Sequence, residues 1–341
     1  MTPERVLVTG GAGYIGSHTV IELINHGYEV IIVDNLSNSS PSVISRLKDI
    51  TGKMVSFTNL DLRNKQALKA FFKRSENIQA VIHFAAMKSV NESVGQPLAY
   101  YENNIQGTIN LLEAMLENKV RSMVFSSSCT VYGSPDNLPV TEASPLGHTP
   151  SPYGYTKQVC ERLIQDATLA YPGLKAISLR YFNPIGAHPS GKIGELPLGT
   201  PENLVPYITQ TAAGIREQLT VFGDDYDTKD GSCIRDYIHV VDLAEAHVRS
   251  LDWLGTQTKA SALEVFNVGT GQGVSVLEAV KAFEKASGKP LNYKVGDRRP
   301  GDIVQIYADA SKAKNLLGWS ASRDIHESMK DAWNWQKNLS P

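Results

Sequence analysis

Arg5-Val-Leu-Val-Thr9, running into Gly10-Gly-Ala-Gly13-Tyr-Ile-Gly16, reads as a short buried strand followed by a glycine turn. Helical spacing begins at once, with Val20, Ile21, Leu23 and Ile24 as its apolar positions. Strand, glycine turn and helix in that order form a dinucleotide site. Gly10 and Gly13 let the backbone turn tightly and approach a pyrophosphate, and Gly16 lets the helix lie close to the strand. The helix N-terminus then presents free N–H groups to the phosphates. The next strand, Tyr28-Glu-Val-Ile-Ile-Val-Asp34, ends in an acid 18 residues after Gly16. A carboxylate there accepts bonds from ribose hydroxyls and repels a 2′-phosphate, which favours NAD over NADP. A second run, Val268-Gly-Thr-Gly-Gln-Gly273, also follows a strand, Leu263 to Asn267, and precedes a helix capped by Ser275. No acid-ended strand follows it at the right distance, so it reads as a tight turn.

Strand and helix patterns alternate over the first 180 residues or so. The expected fold is α/β: a Rossmann-type doubly wound parallel sheet with a smaller α/β substrate domain. The further strands are Val55–Phe57, Ala80–Ala86, Ser122–Ser126 and Leu174–Tyr181, and one long helix is expected over Tyr100–Asn118. Pro and Gly become frequent from Pro184 to Pro206, which implies loops of the kind that build substrate sites beyond strand ends. Arg235–Asp242 reads as a return to the sheet, followed by a helix from Leu243. The expected division is a dinucleotide-binding domain over 1–182, with a returning segment at about 235–265, and a discontinuous second domain over 183–341. The last helix, Ile325 to Trp335, carries Trp333 and Trp335 as packing residues.

The bulk numbers exclude several classes. A chain of 341 residues suits two domains or one large one, and a hydrophobic content of 42% is that of a globular protein. The net charge of −2 gives no reason to invoke nucleic acid or an anionic membrane. No apolar run approaches the ~20 residues that span a bilayer. With the first strand at Arg5 there is no room for a signal peptide, and Cys129, Cys160 and Cys233 read as reduced thiols, so a cytoplasmic protein is expected. The scattered histidines suggest no metal site.

The chemistry is carried by Ser151-Pro-Tyr153-Gly-Tyr-Thr-Lys157. Tyr153 and Lys157 are four residues apart and share a helix face. An adjacent ammonium favours the phenolate and is expected to lower the tyrosine below its usual ~10, giving a base for a hydroxyl proton. Chance supplies this spacing too: Tyr171 and Lys175 repeat it, but Pro172 and Gly173 break that helix. Support for the first pair comes from order. Ser126-Ser-Ser128 ends the fifth strand, where Ser128 can donate to a substrate oxygen beside Tyr153, between the glycine turn and the Tyr–Lys pair.

These segments, together with Asp34-Asn-Leu36, His83-Phe-Ala85, Val131-Tyr-Gly133, Leu179-Arg-Tyr-Phe-Asn-Pro184, Gly186-Ala-His-Pro-Ser-Gly191, Asn203-Leu204, Arg235-Asp-Tyr-Ile-His-Val240, Arg298-Arg299 and Gly301-Asp302, resemble the UDP-glucose 4-epimerases of the extended short-chain dehydrogenase/reductase family. The resemblance runs from about Arg5 to Trp335. It implies that Tyr14, Ile15, Asp34, Asn35, Asp61, Leu62, Phe84, Ala85, Lys88, Asn103 and Phe182 line the NAD site together with Gly10, Gly13, Gly16, Tyr153 and Lys157. It implies that Asn183, Asn203, Leu204, Phe222, Arg235, Arg299 and Asp302 hold a UDP-sugar, Ser128 contributing as well. Arginine suits a diphosphate because its planar fork bonds two oxygens. The implied reaction is C4 epimerisation of UDP-glucose and UDP-galactose through a 4-keto sugar, with NAD retained. Ile306 falls at the position that gates N-acetylated sugars, and its intermediate size leaves UDP-GlcNAc and UDP-GalNAc open. Three rivals stay open: a UDP-glucuronate 4-epimerase; a 4,6-dehydratase or decarboxylase, disfavoured by the non-acidic Cys129 and Thr130; and a non-catalytic NAD sensor, disfavoured by the intact Ser128, Tyr153 and Lys157. The family's pairing of the helices Tyr100–Asn118 and Tyr155–Tyr171 across a two-fold axis implies a homodimer.

Overall fold

The computed structural model describes residues 4–258, 261–299 and 301–339. Its centre is a parallel sheet of seven strands. Six are β1 (Arg5–Thr9), β2 (Glu29–Asp34), β3 (Ser56–Asn59), β4 (Ile78–His83), β5 (Ser122–Ser126) and β6 (Lys175–Tyr181), and the seventh is Ala262–Val268. The order is Ala262–Val268, β6, β5, β4, β1, β2, β3. The chain moves outward from β1 to β3, then crosses back to β4, so strand order reverses between β1 and β4. Ligands bind outside the carboxyl ends at such a switch point.

Alternation along the strands builds two cores. Val6 and Val8 of β1, with Ile32, Ile82, Val124, Ile177 and Leu179, join the cluster that includes the helices Tyr14–Asn25 and Val240–Thr256. Leu7, Ile31, Val33, Val81, Met123 and Phe125 join another cluster with the helices Lys65–Arg74, Gly107–Glu117 and Pro152–Ala170. A third core, with Val205, Ile208, Val221, Phe283, Met329 and Trp333, belongs to the C-terminal half, where Phe283 and Trp333 meet edge to face.

Two expectations are corrected. Arg235–Asp242 does not re-enter the central sheet. Ile234–Arg235 pairs with Val274–Ser275 and Gln305–Ile306, and Tyr237–His239 pairs with Asn183–Ile185. Asp236 separates the two short strands because its carboxylate is taken by the second glycine turn. It accepts the N–H groups of Thr270 (2.8 Å), Gly271 (3.0 Å) and Ala308 (3.2 Å), and the Thr270 hydroxyl (2.6 Å). A helix then begins at Val240, capped by the His239 ring accepting from the Val241 N–H, and the strand that joins the sheet is Ala262–Val268. The helix expected over Tyr100–Asn118 is also not continuous: the π-turn Tyr101–Gln106 separates Pro97–Tyr100 from Gly107–Glu117. A π-turn re-aims the side chains it carries. Here Asn104 bonds the Met87 N–H and carbonyl and the Thr156 hydroxyl, tying the turn to the Tyr153 helix.

Candidate active site

At the end of β1, Gly10 has φ +71°, and a Cβ there would lie 2.6 Å from the Ala85 backbone nitrogen. A Cβ on Gly16 would collide with the Gly10 carbonyl oxygen. The turn therefore tolerates no side chain at either place. Gly13 caps the helix Tyr14–Asn25 without a side-chain hydrogen bond, and no acid lies in its first turn. The N–H groups and positive end of this helix suit a pyrophosphate. Asp34 ends β2 beside them and accepts the N–H groups of Ala12 (3.0 Å) and Leu36 (2.8 Å). Asn35 donates to Asp61 (3.1 Å), and hydrogen bonds from Arg63 hold the Asp61 carboxyl down to about 2, a stable anion beyond the ends of β2 and β3. Leu62 is buried, its carbonyl fixed by the Asn110 amide. Phe84 and Ala85 follow β4 and donate to the Thr9 carbonyl, and the Phe84 ring lies on His247 at 4.6 Å. Tyr14 donates its hydroxyl to the Gly186 carbonyl, and Ile15 packs on the first core. Asn103 lies in the π-turn, and Phe182 is buried after β6. A dinucleotide thus has a side-chain-free turn, free helix donors and a strand-end acid in one place.

Tyr153 and Lys157 occupy successive turns of the helix Pro152–Ala170, which starts at Pro152 because Ser151 accepts the Gly154 N–H (3.2 Å) and Pro152 needs no donor partner. Both side chains are buried, as is Ser128 at the end of β5. Lys157 donates to the Ser126 carbonyl (2.6 Å), and its Nζ lies 5.8 Å from the centre of the Tyr153 ring. Burial pushes the Tyr153 phenol up to about 12, with a hydrogen bond from Ser128 opposing it. Burial also pulls Lys157 down to about 8. The expected lowering of Tyr153 by its lysine is therefore corrected for the ligand-free chain. Sharing a face brings the two groups close, but loss of water dominates.

The other expected residues form two groups. Asp302 bonds Arg299 (2.6 Å) and lies 3.8 Å from Arg235, while the Arg299 guanidinium stands 5.6 Å from the centre of the Phe222 ring. Ile306 pairs with Arg235 in a short parallel ladder; it is only 2% exposed, buried with Cys129, Phe182 and Ala308. Asn203 caps the helix that begins at Leu204, and Lys88 lies across from it; both bond Glu195. Asn183 opens the short strand beside Tyr237.

Three buried supports, Glu161, Arg180 and Tyr181, and the half-buried Glu195 escaped the sequence reading. Glu161, one turn beyond Lys157, accepts the Ser127 hydroxyl (2.5 Å) and pairs with Arg180 (2.6 Å), which also bonds the Tyr132 hydroxyl (3.1 Å). Arg180 was detectable: an arginine amid Ala176–Tyr181, a mainly apolar strand, demands a buried partner. Tyr181 bonds the Ser126 hydroxyl. Glu195 carried no local signal.

A glycine cradle at a switch point, with a buried tyrosine and lysine beside it, defines a dinucleotide-dependent enzyme that moves hydride at a hydroxyl-bearing carbon. The chain belongs to the NAD dependent epimerase/dehydratase family, which it matches over residues 6–269, and NAD is its cofactor. It is 55% identical over 333 residues to UDP-glucose 4-epimerase from Bacillus subtilis (strain 168), covering 98% of this chain and 97% of that one. Among solved structures it is similar to UDP-glucose 4-epimerase from Bifidobacterium longum in complex with NAD+ and UDP (TM-score 0.94, 49% identity, 98% of each chain). It is equally similar to that from Stenotrophomonas maltophila with bound NAD and formylated UDP-arabinopyranose (TM-score 0.95, 49% identity, 99% of each chain). Among the described residues no helix is long and apolar enough to cross a membrane, and no group of three or more His, Cys, Asp or Glu is placed to hold a metal ion.

Proposed function

We propose that this chain inverts C4 of a UDP-hexose, interconverting UDP-glucose and UDP-galactose through a 4-keto sugar. The observation that carries this reading is the buried Tyr153–Lys157 pair beside a glycine cradle, in a chain alike over nearly its whole length to UDP-glucose 4-epimerases. Bound NAD supplies the reversible hydride acceptor and a cationic ring. Tyr153 removes the C4 hydroxyl proton and returns it, Ser128 donates to the same oxygen, and Lys157 holds the cofactor's nicotinamide ribose and favours the phenolate. Gly10, Gly13, Tyr14, Ile15 and Gly16 cradle the pyrophosphate. Asp34, Asn35, Asp61, Leu62, Phe84, Ala85, Lys88, Asn103 and Phe182 complete the NAD site. Arg235 and Arg299 grip the diphosphate, Asp302 the uridine ribose, and Asn183, Asn203, Leu204 and Phe222 the remainder of the UDP-sugar. A firm grip on UDP with few contacts to the hexose lets the keto sugar turn over. Burial pushes the Cys129 thiol up to about 12, too weak an acid to drive the water loss of a dehydratase. Purified protein mixed with UDP-galactose, without added NAD, yields UDP-glucose; a dehydrated product, or no conversion, overturns the reading.

The cofactor unit is 1–182 with a return at about 235–265, in which the helix Val240–Thr256 and the strand Ala262–Val268 rejoin it while Ile234–Arg235 and Tyr237–His239 pair outside the central sheet, and the rest of 183–341 is mainly the UDP-sugar unit; of these, residues 1–3, 259–260, 300 and 340–341 lie outside the described residues. The strand Ala262–Val268 and the separate third core support this division, and a single hydrogen-exchange protection class across both units would count against it. Three free, buried cysteines support a cytoplasmic location; recovery in a secreted or membrane fraction argues otherwise. A homodimer is supported by apolar exposure around the two paired helices: Val94, Leu98, Tyr155 and Leu169 are all exposed. Sedimentation at micromolar concentration then gives twice the chain mass, and a persistent monomer refutes it.

Substrate breadth rests on Ile306. Ile306→Tyr lowers the ratio of N-acetylated to plain UDP-hexose turnover by ~10-fold or more, since a methylene or more of crowding is worth ~1–3 kcal/mol. Taking the ratio within one variant cancels any cost of overfilling that buried site. An unchanged ratio removes Ile306 as the gate.

A further inference from the structure

Lys88 sits on the loop after β4, on the cofactor side, and Asn203 caps the helix Leu204–Ala212 on the substrate side. Both reach the same oxygen of Glu195: Lys88 Nζ at 2.8 Å and Asn203 Nδ2 at 2.6 Å. The Glu195 side chain is only 10% exposed. Its backbone is pinned as well, since its carbonyl accepts the Trp335 indole N–H (2.9 Å). A second strand of contact runs beside it, from the Ser89 hydroxyl to Glu202. Tyr14, on the glycine turn, also senses Glu195: burial, and then the Glu195 charge, push its phenol up. One carboxylate therefore contacts a cation assigned to the cofactor and an amide assigned to the sugar nucleotide, and its charge reaches the Tyr14 phenol. An ammonium and an amide held on one fixed anion lose little freedom when a ligand arrives. Because both donors share one oxygen, drawing either away changes that oxygen's hold on the other.

We infer that Glu195 is a positioning residue that couples the two halves of the site, so that NAD and the UDP moiety bind more tightly together than apart. The inference rests on the assignment of Lys88 to NAD and Asn203 to the UDP-sugar. Glutamine at 195 keeps an acceptor but loses the charge that holds the ammonium. The experiment measures UDP affinity by calorimetry on NAD-loaded and NAD-free protein. In the parent, NAD tightens UDP by ~5-fold or more, within the usual range of such couplings, and UDP slows NAD release in turn. In Glu195→Gln the factor falls towards one, and KM for UDP-galactose rises more than kcat falls. Lys88→Met gives the same loss, and the double variant adds little to either alone, as a shared contact requires. An equal factor in parent and variants overturns the coupling while leaving the site reading intact. A parent that binds no UDP overturns the site reading and the coupling with it. Should Glu195→Gln fail to fold, Lys88→Met removes the same contact from the other side and decides the matter.

Discussion

Tyr153→Phe lowers kcat by ~10²–10⁴-fold while leaving UDP affinity within a few-fold, because a positioned base is worth about that much and the ring itself stays in place. The hydroxyl is the one atom removed from a side chain that is 9% exposed. The pH dependence follows from its environment. In the ligand-free chain burial pushes Tyr153 up to about 12, so at neutral pH the phenol holds its proton. The phenolate is the working form, so activity is lost as pH falls through the apparent value of the loaded enzyme. A cationic nicotinamide nearby stabilises the phenolate and moves that value down. An ultraviolet difference titration of NAD-free protein shows a phenolate step near the top of the range, and the step moves down on loading with NAD. Tyr153→Phe removes it. A step that stays in place on loading, or a Phe variant as active as the parent, sinks the assignment of the base.

Arg180→Met destabilises the fold by ~3–5 kcal/mol, the usual result of stripping one partner from a buried ion pair. Glu161 and Arg180 have side chains 9% and 6% exposed, and the loss of Arg180 leaves Glu161 with the Ser127 hydroxyl as its remaining polar contact. A denaturant midpoint measures the effect. The paired change Glu161→Met with Arg180→Met recovers much of the loss, because the cost lies in the orphaned charge more than in the missing attraction. A single-variant loss under about 1 kcal/mol would mean that water reaches Glu161. Glu161 lies one helical turn from Lys157, and the Ser127 that bonds it adjoins Ser128, so activity falls along with stability.

The nucleotide half of the site was legible because its determinants are local. Glycine spacing, the strand before it and the acid after it all fall within Arg5–Asp34, and Gly10 and Gly16 report a backbone need that no other residue type meets. The Tyr153 helix was legible from Ser151, Pro152 and spacing. The direction of its pKa was not, since sequence separation reports adjacency and says nothing about how much water is excluded. Arg235–Asp242 was misplaced because a short β-branched run looks alike in any sheet; what decided its place was Asp236, buried in a turn more than thirty residues away. Glu195 was invisible for the same reason: its partner Lys88 is 107 residues distant in the chain.

Asp236 also bears on selectivity. The turn Gly269–Gly271 has the features of an anion cup: small residues, converging N–H groups and a following helix. A Cβ on Gly269 would lie 2.5 Å from the Asp236 carboxylate, so the cup is shaped around a group the chain itself provides. Any phosphate entering there must first expel a fully buried carboxylate from four donors. Among the described residues, two glycine turns of similar sequence thus differ in one respect: Asp236 fills the second from within, while Gly10–Gly16 keeps its helix N–H groups open.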